Sequence, residues 1–269
     1  MSGMEGPATG QAGHWLPKAP REVGPGRVER YVVRTHLVQP REDLVRNLSP
    51  YLAGRVRPGD IVCVGEKVVA IAEGRVYELE AVRARWLARF LAGRVRQLGY
   101  GLGLRRPETM EMAIREVGSL RIMAAAAAGA LDRLTGRSGD FYRVAGRRVS
   151  TIDGPGPTTI PPYNRAIVLG PRRPELFARR LARRLGCGVA VVDVNDVGSV
   201  VLARSPGVDA RLVEEALRDN PMGQGSQQTP VAVLRPRRRP APGHPRRPGG
   251  PAGGLGVLQP WPGGGAGPA

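Results

Sequence analysis

The sequence predicts an α+β domain of mixed sheets with packed helices. Three observations carry this reading. Strand-like and helix-like runs alternate without a regular βαβ repeat, which disfavours a doubly wound sheet. Hydrophobic residues make up 41% of the 269, enough to build a core in the middle of the chain. The two ends cannot join that core. Residues 1–27 are rich in Gly and Pro, and from Arg235 the chain reads "RPRRRPAPGHPRRPGGPAGGLGVLQPWPGGGAGPA", with no acid and almost no large aliphatic residue. Segments of that composition bury too little apolar surface to offset chain entropy. The expected organisation is a disordered segment 1–27, a folded body 28–234 and a disordered tail 235–269.

Along the body, "RYVVRTHLV" (30–38) is β-branched and alternating and reads as a strand. "REDLVRNLSPYL" gives a short amphipathic helix. In "RPGDIVCVGEKVVAIAEGRVYEL", Pro58-Gly59 makes a turn and two strand runs flank the polar pair Glu66-Lys67. Residues 79–98 space Leu79, Val82, Trp86, Leu87, Phe90, Leu91, Val95 and Leu98 as the apolar face of a helix ended by Gly99, so Trp86 and Phe90 are expected in the core. Gly99, Gly101 and Gly103 then lead into a helix with Pro107 at its first position. Their spacing matches neither a dinucleotide fingerprint nor a P-loop, and a plain flexible connection is the simpler reading.

Phe141 to Val149, folded about Ala145-Gly146, reads as a hairpin, and Asp153 opens a proline-rich turn. "PELFARRLARRLG" (174–186) is a helix with Pro at its start and Gly at its end. The run "GVAVVDVND" is a strand, followed by a strand "SVVLARS", a helix "GVDARLVEEALRDN", the loop "NPMGQGSQQ" and a final strand "TPVAVLR".

The net charge of +18 suggests nucleic acid at first sight. Six of the 41 basic residues and none of the 23 acids lie in 235–269, so the rest carries +12. Of the 41, 39 are Arg, spread along the body without interleaved aromatic stacking platforms. Dedicated nucleic-acid binding is therefore not expected, beyond a non-specific interaction through the tail. Cys63 and Cys187 each sit in an apolar run and read as buried thiols, with no zinc spacing. No run approaches a membrane span and the N-terminus lacks the order of a signal peptide, so a cytoplasmic protein with no membrane association is expected.

Four polar features fall beside strands: Glu66 with Lys67; Asp153 with Thr158 and Thr159; Asp193, Asn195 and Asp196; and "NPMGQGSQQT" (220–229). Mg²⁺ and Mn²⁺ take hard oxygen ligands, often one or two carboxylates completed by phosphate and water. Asp153 and Asp193 offer such carboxylates from separate turns, with Asp196 a further candidate. Lys67 could neutralise a phosphate, and Gly223, Gly225 and Ser226 could offer donors to one. Equally, an Asp at the start of a turn often only caps local N–H groups.

The stretch "RPGDIVCVGEKVVAIAEGRVYEL" resembles the N-terminal hallmark of the coenzyme F420-0:L-glutamate ligase (F420 gamma-glutamyl ligase) family. The matching residues are Gly59-Asp60, Lys67 and Glu73-Gly74-Arg75. The likeness extends over about 30–234 and implies an F420 gamma-glutamyl ligase-like fold, commonly a homodimer. It implies GTP as co-substrate, Mg²⁺ or Mn²⁺ as cofactor, and glutamate joined to a small-molecule carboxylate acceptor through an acyl phosphate. By position, the resemblance matches Asp153 and Asp193 to the family's metal aspartates, and Lys67 to the lysine of its N-terminal hallmark. The chain departs from the family in reading "DGPGPT" for Asp-Glu-Ser-Asn and "DVNDVGS" for Asp-Thr-Phe-Gly-Arg. The function expected is a nucleotide- and metal-dependent γ-glutamyl ligase, acting on the coenzyme precursor or on another carboxylate acceptor. The alternative is a non-catalytic ligand- or partner-binding protein on the same fold.

Overall fold

A computed structural model describes residues 14–94, 103–136, 139–157, 159–223 and 225–238. Its centre is a six-stranded mixed sheet built from β1 (His14–Val23), β2 (Gly26–Arg34), β3 (Ile61–Gly65), β6 (Gly188–Asn195), β7 (Gly198–Arg204) and β8 (Val231–Arg238). The strand order is β1-β2-β8-β3-β6-β7, with only β3 and β6 parallel and every other neighbour antiparallel. A second sheet pairs β4 (Val76–Glu78) with β5 (Ala166–Val168). The α+β class holds.

The central strands are buried on both faces, and the period of two sorts their residues. Val62, Val64, Val189, Val191, Val231 and Val233 face one core, against α1 (Leu44–Leu52) and α8 (Pro174–Leu185). Ile61, Cys63, Ala190, Val192, Ala232 and Leu234 face the other, against α9 (Ala210–Leu217). Both α1 and α9 begin at an aspartate, Asp43 and Asp209, whose carboxylate accepts from the first-turn N–H groups. A third core joins α3 (Trp86–Ala92), α4 (Pro107–Val117), α5 (Ser119–Thr135), α6 (Asp140–Ala145), α7 (Arg147–Ser150) and β5 into a helical lobe.

Several expectations are corrected. Residues 14–27 are not disordered: β1 pairs with β2 around a two-residue turn at Gly24-Pro25. The tail does not begin at 235 either, because Arg235 to Arg238 continue β8. Residues 1–13 and 239–269 lie outside the described residues. The second apolar run after Glu66-Lys67 is not a strand but the helix α2 (Glu66–Ala72), burying Val69, Ala70 and Ile71. A short apolar run has no decisive period, and here packing against α8 and β6 chose the helix.

Phe141–Val149 is not a hairpin but α6 and α7, broken at Gly146 with φ of 89°. Phe141 docks on α5, where a Cβ at Gly129 would stand 3.2 Å from its own Cβ. Trp86 and Phe90 are not core residues: they are 76% and 48% exposed. The chain is extended at Val82 and Arg85, which resets the helical phase so that Ala88, Leu91 and Ala92 turn inward instead. Val95, Leu98, Gly99 and Gly101 lie outside the described residues. Cys63 is fully buried and Cys187 half-buried; both are free thiols pushed up in pKa, chiefly by burial, Cys187 to about 11. No helix among the described residues is long and apolar enough to cross a membrane.

Candidate functional site

The framework of the site is set by the motif running from Gly59-Asp60 to Glu73-Gly74-Arg75. Asp60 is 2% exposed; its carboxylate accepts from Arg57 N at 2.9 Å and from Arg235 Nε and Nη2 at 2.9 and 2.8 Å. It thereby ties the turn before β3 to β8. Glu73 accepts from the backbone N–H groups of Arg172 and Arg173, just ahead of α8. Arg75 donates to the Gly170 carbonyl and to Glu116 at 2.9 Å. These residues hold β3, α2 and β5 in place. They do not themselves face the cleft.

The cleft, of about 720 Å³, opens where β3 passes into α2, with the 149–160 segment, the β6–β7 hairpin and the 222–230 loop around it. That size suits a small-molecule site. Asp153 is carried by a single antiparallel bridge to Val168, with N–H···O distances of 2.8 and 2.9 Å. Its approach depends on Gly170, where a Cβ would fall 2.1 Å from Thr151 Oγ1. Asp193 lies near the end of β6, half-buried and paired in register with Val200. Lys67 Nζ reaches Asp153 Oδ2 at 2.7 Å.

Glu66, the first residue of α2, is 9% exposed, and its Oε2 has no hydrogen-bond partner. Burial raises its pKa well above the ordinary carboxylate value; Asp193 and Asp153 push the same way and Lys67 opposes them. Burial also raises Asp193, with Asp153 adding and Lys67 opposing. Three acids and one lysine therefore share a single electrostatic neighbourhood.

Lys67, Asp153 and Asp193 are thus brought together. Asp196 also borders the cleft but has another partner: at the exposed tip of the β6–β7 turn, its Oδ1 accepts from Asn220 Nδ2 at 3.0 Å. Gly223 and Gly225 line the cleft, but their N–H groups are engaged, by Asn220 Oδ1 at 3.0 Å and Gln227 Oε1 at 2.8 Å. Ser226 is exposed and is not among the lining residues. Thr158 lies outside the described residues.

Glu66 is the residue that sequence reasoning passed over as a site member. Read as extended chain, Glu66 and Lys67 point to opposite faces; the start of α2 turns both to the cleft. The available signal was an acid directly after a fully apolar strand.

Because the folded protein holds the Glu66 proton more tightly than the unfolded chain, stability falls as pH rises from the unfolded pKa through the folded one. The Glu66→Gln protein is expected to melt above the parent at neutral pH, with the difference shrinking as pH falls towards about 4. Thermal unfolding of both proteins across that range checks it; identical melting at every pH would contradict the assigned burial.

An α+β domain with carboxylates and a lysine gathered at strand ends defines a site suited to phosphorylated ligands. The chain belongs to the F420-0:Gamma-glutamyl ligase family, whose match covers residues 32–198. That stretch contains Glu66, Lys67, Asp153 and Asp193, and it ends before the 222–230 loop and β8. No curated protein matches the chain. Family membership points to a ligase of the γ-glutamyl type in broad class.

Proposed function

We propose that the protein is a nucleotide- and divalent-metal-dependent γ-glutamyl ligase, with GTP as co-substrate, glutamate as amine donor and a small-molecule carboxylate as acceptor. A homodimer is its working state. The observation that carries this reading is the Lys67–Asp153 ion pair, at 2.7 Å, in a cleft shared with Asp193 and Glu66.

The donor set fits a hard divalent cation: the candidate oxygens are carboxylate, and one of them, Glu66 Oε2, is buried without a partner. Among the described residues no three such groups yet stand in coordinating geometry. Asp153 and Asp193 are the residues that would hold Mg²⁺ or Mn²⁺, which when bound would neutralise phosphate oxygens during transfer. Lys67, released from Asp153, would place its ammonium against the transferring phosphate. The acceptor carboxylate oxygen attacks the terminal phosphorus, the bond to the nucleoside diphosphate breaks, and an acyl phosphate forms. The glutamate amine then attacks the acyl carbon, phosphate leaves, and the amine gives up a proton.

The test is thermal unfolding with GTP or ATP in the presence of Mg²⁺ or Mn²⁺. The parent is expected to be stabilised by nucleotide with metal, and the Asp153→Asn and Asp193→Asn proteins much less. No nucleotide-dependent shift in the parent contradicts the reading. A second reading, ligand binding without catalysis, draws on the engaged N–H groups of Gly223 and Gly225. Tight nucleotide binding with no phosphate release on any acceptor would favour it.

A further inference from the structure

We infer that Glu66 is a third carboxylate ligand of the divalent-cation site, with Asp153 and Asp193, so that the site takes its metal before any nucleotide arrives. The inference rests on the metal-dependent reading of the cleft and sharpens it.

The argument starts from the orphaned oxygen. Glu66 is 9% exposed, yet Oε2 meets no hydrogen-bond donor. A buried acid without a partner costs stability, and a bound ion is one of the few things that can offset it. Among the described residues the other buried acids are satisfied. Asp60 has Arg235 and Arg57 N, and Glu111 has Arg85 and Arg115, at 2.9 Å each. Glu66 stands apart from them, and it borders the same cleft as Asp153 and Asp193.

The charge balance points the same way. Glu66, Asp153 and Asp193 present three carboxylates against the one ammonium of Lys67, which sits 2.7 Å from Asp153 Oδ2. That ammonium is the cation now nearest the acids, and it leaves Glu66 Oε2 without a hydrogen bond. A divalent cation would satisfy all three acids together and displace Lys67 towards the phosphate it is proposed to meet. A cation held by one or two carboxylates commonly depends on substrate phosphates to complete its shell, and a third carboxylate lessens that dependence. The three acids come from separate segments: the start of α2, the bridge beside β5, and the end of β6. Among the described residues no three acids stand in coordinating geometry, so the cation must draw these side chains together as it binds.

The experiment is titration of the full-length, nucleotide-free protein with Mn²⁺, read by calorimetry and by loss of the free-Mn²⁺ electron paramagnetic resonance signal. The parent is expected to bind Mn²⁺ and to melt higher with it. The Glu66→Gln protein is expected to bind Mn²⁺ about tenfold or more weakly, and its melting temperature is expected to rise less than the parent's at the same Mn²⁺ concentration. Asp196→Asn serves as the control that binds as the parent does. Unchanged Mn²⁺ affinity in Glu66→Gln overturns the inference. So does a parent that takes up Mn²⁺ only with nucleotide, a result that needs no variant to fold. Amide product with nucleotide-dependent metal uptake would overturn this inference and leave the ligase reading standing. Nucleotide-free Mn²⁺ binding lost in Glu66→Gln, without turnover on any acceptor, would do the reverse.

Discussion

Replacing Asp193 by Asn is expected to lower amide-forming turnover by about 10²–10³-fold while the protein stays folded. Loss of a carboxylate proposed to hold the cation would forfeit several kcal/mol of transition-state charge stabilisation, and each 1.36 kcal/mol is about a factor of ten in rate. The fold survives because Asp193 is half-buried next to other acids, and its charge is disfavoured there by burial and by Asp153. An uncharged isostere relieves that repulsion. Phosphate release under saturating nucleotide, with circular dichroism as the control for folding, checks the result. Asp196→Asn is the contrast: that carboxylate is exposed and bound to Asn220, so turnover should be close to the parent's.

The second large effect is on stability and concerns the opposite end of β3. Arg235→Met is expected to destabilise the protein by about 3–5 kcal/mol. Arg235 donates twice to Asp60, at 2.9 and 2.8 Å, and the two side chains are 11% and 2% exposed. Removing the guanidinium strands a buried carboxylate with only Arg57 N as a donor. Urea unfolding measures the loss, which appears as a lower midpoint with little change in slope. The contrast with Glu66 is instructive. Both are buried acids, but the neutral replacement of Glu66 removes an existing penalty, whereas loss of Arg235 creates one.

Much of the fold was legible because burial follows the pattern of side chains. The alternating, β-branched runs around Val62, Val191 and Val233 became central strands with each face in its own core. Pro107 and Pro174 marked helix starts, and Gly186 a helix end. What failed lacked a decisive local signal. "VVAIA" after Glu66-Lys67 has strand composition, and only its contacts with neighbouring elements make it helical. Trp86 and Phe90 have core-like chemistry, but an extended stretch ahead of them rotated the helix. The strand β1 was hidden in a segment whose composition resembles a tail, and its partner β2 supplies the pairing that composition cannot reveal.

The site was half legible for the same reason. Asp153, Asp193 and Lys67 could be found from residue type, strand ends and a family likeness. Their company could not. Glu66 joins them because a helix begins at that residue, and Asp196 leaves them because a turn gave it Asn220. The "GD" and "EGR" motifs, the most recognisable letters in the chain, turn out to brace the scaffold through Arg235, Arg172, Arg173 and Gly170.

The most direct measurement is isotope transfer from acceptor to phosphate. An acceptor carboxylate labelled with ¹⁸O is incubated with the protein, GTP, Mn²⁺ and glutamate, and the released phosphate is weighed by mass spectrometry. The account predicts one labelled oxygen in each phosphate formed, in step with amide product, and neither from the Asp193→Asn protein. Amide formation with unlabelled phosphate, or phosphate release independent of the acceptor, would contradict it.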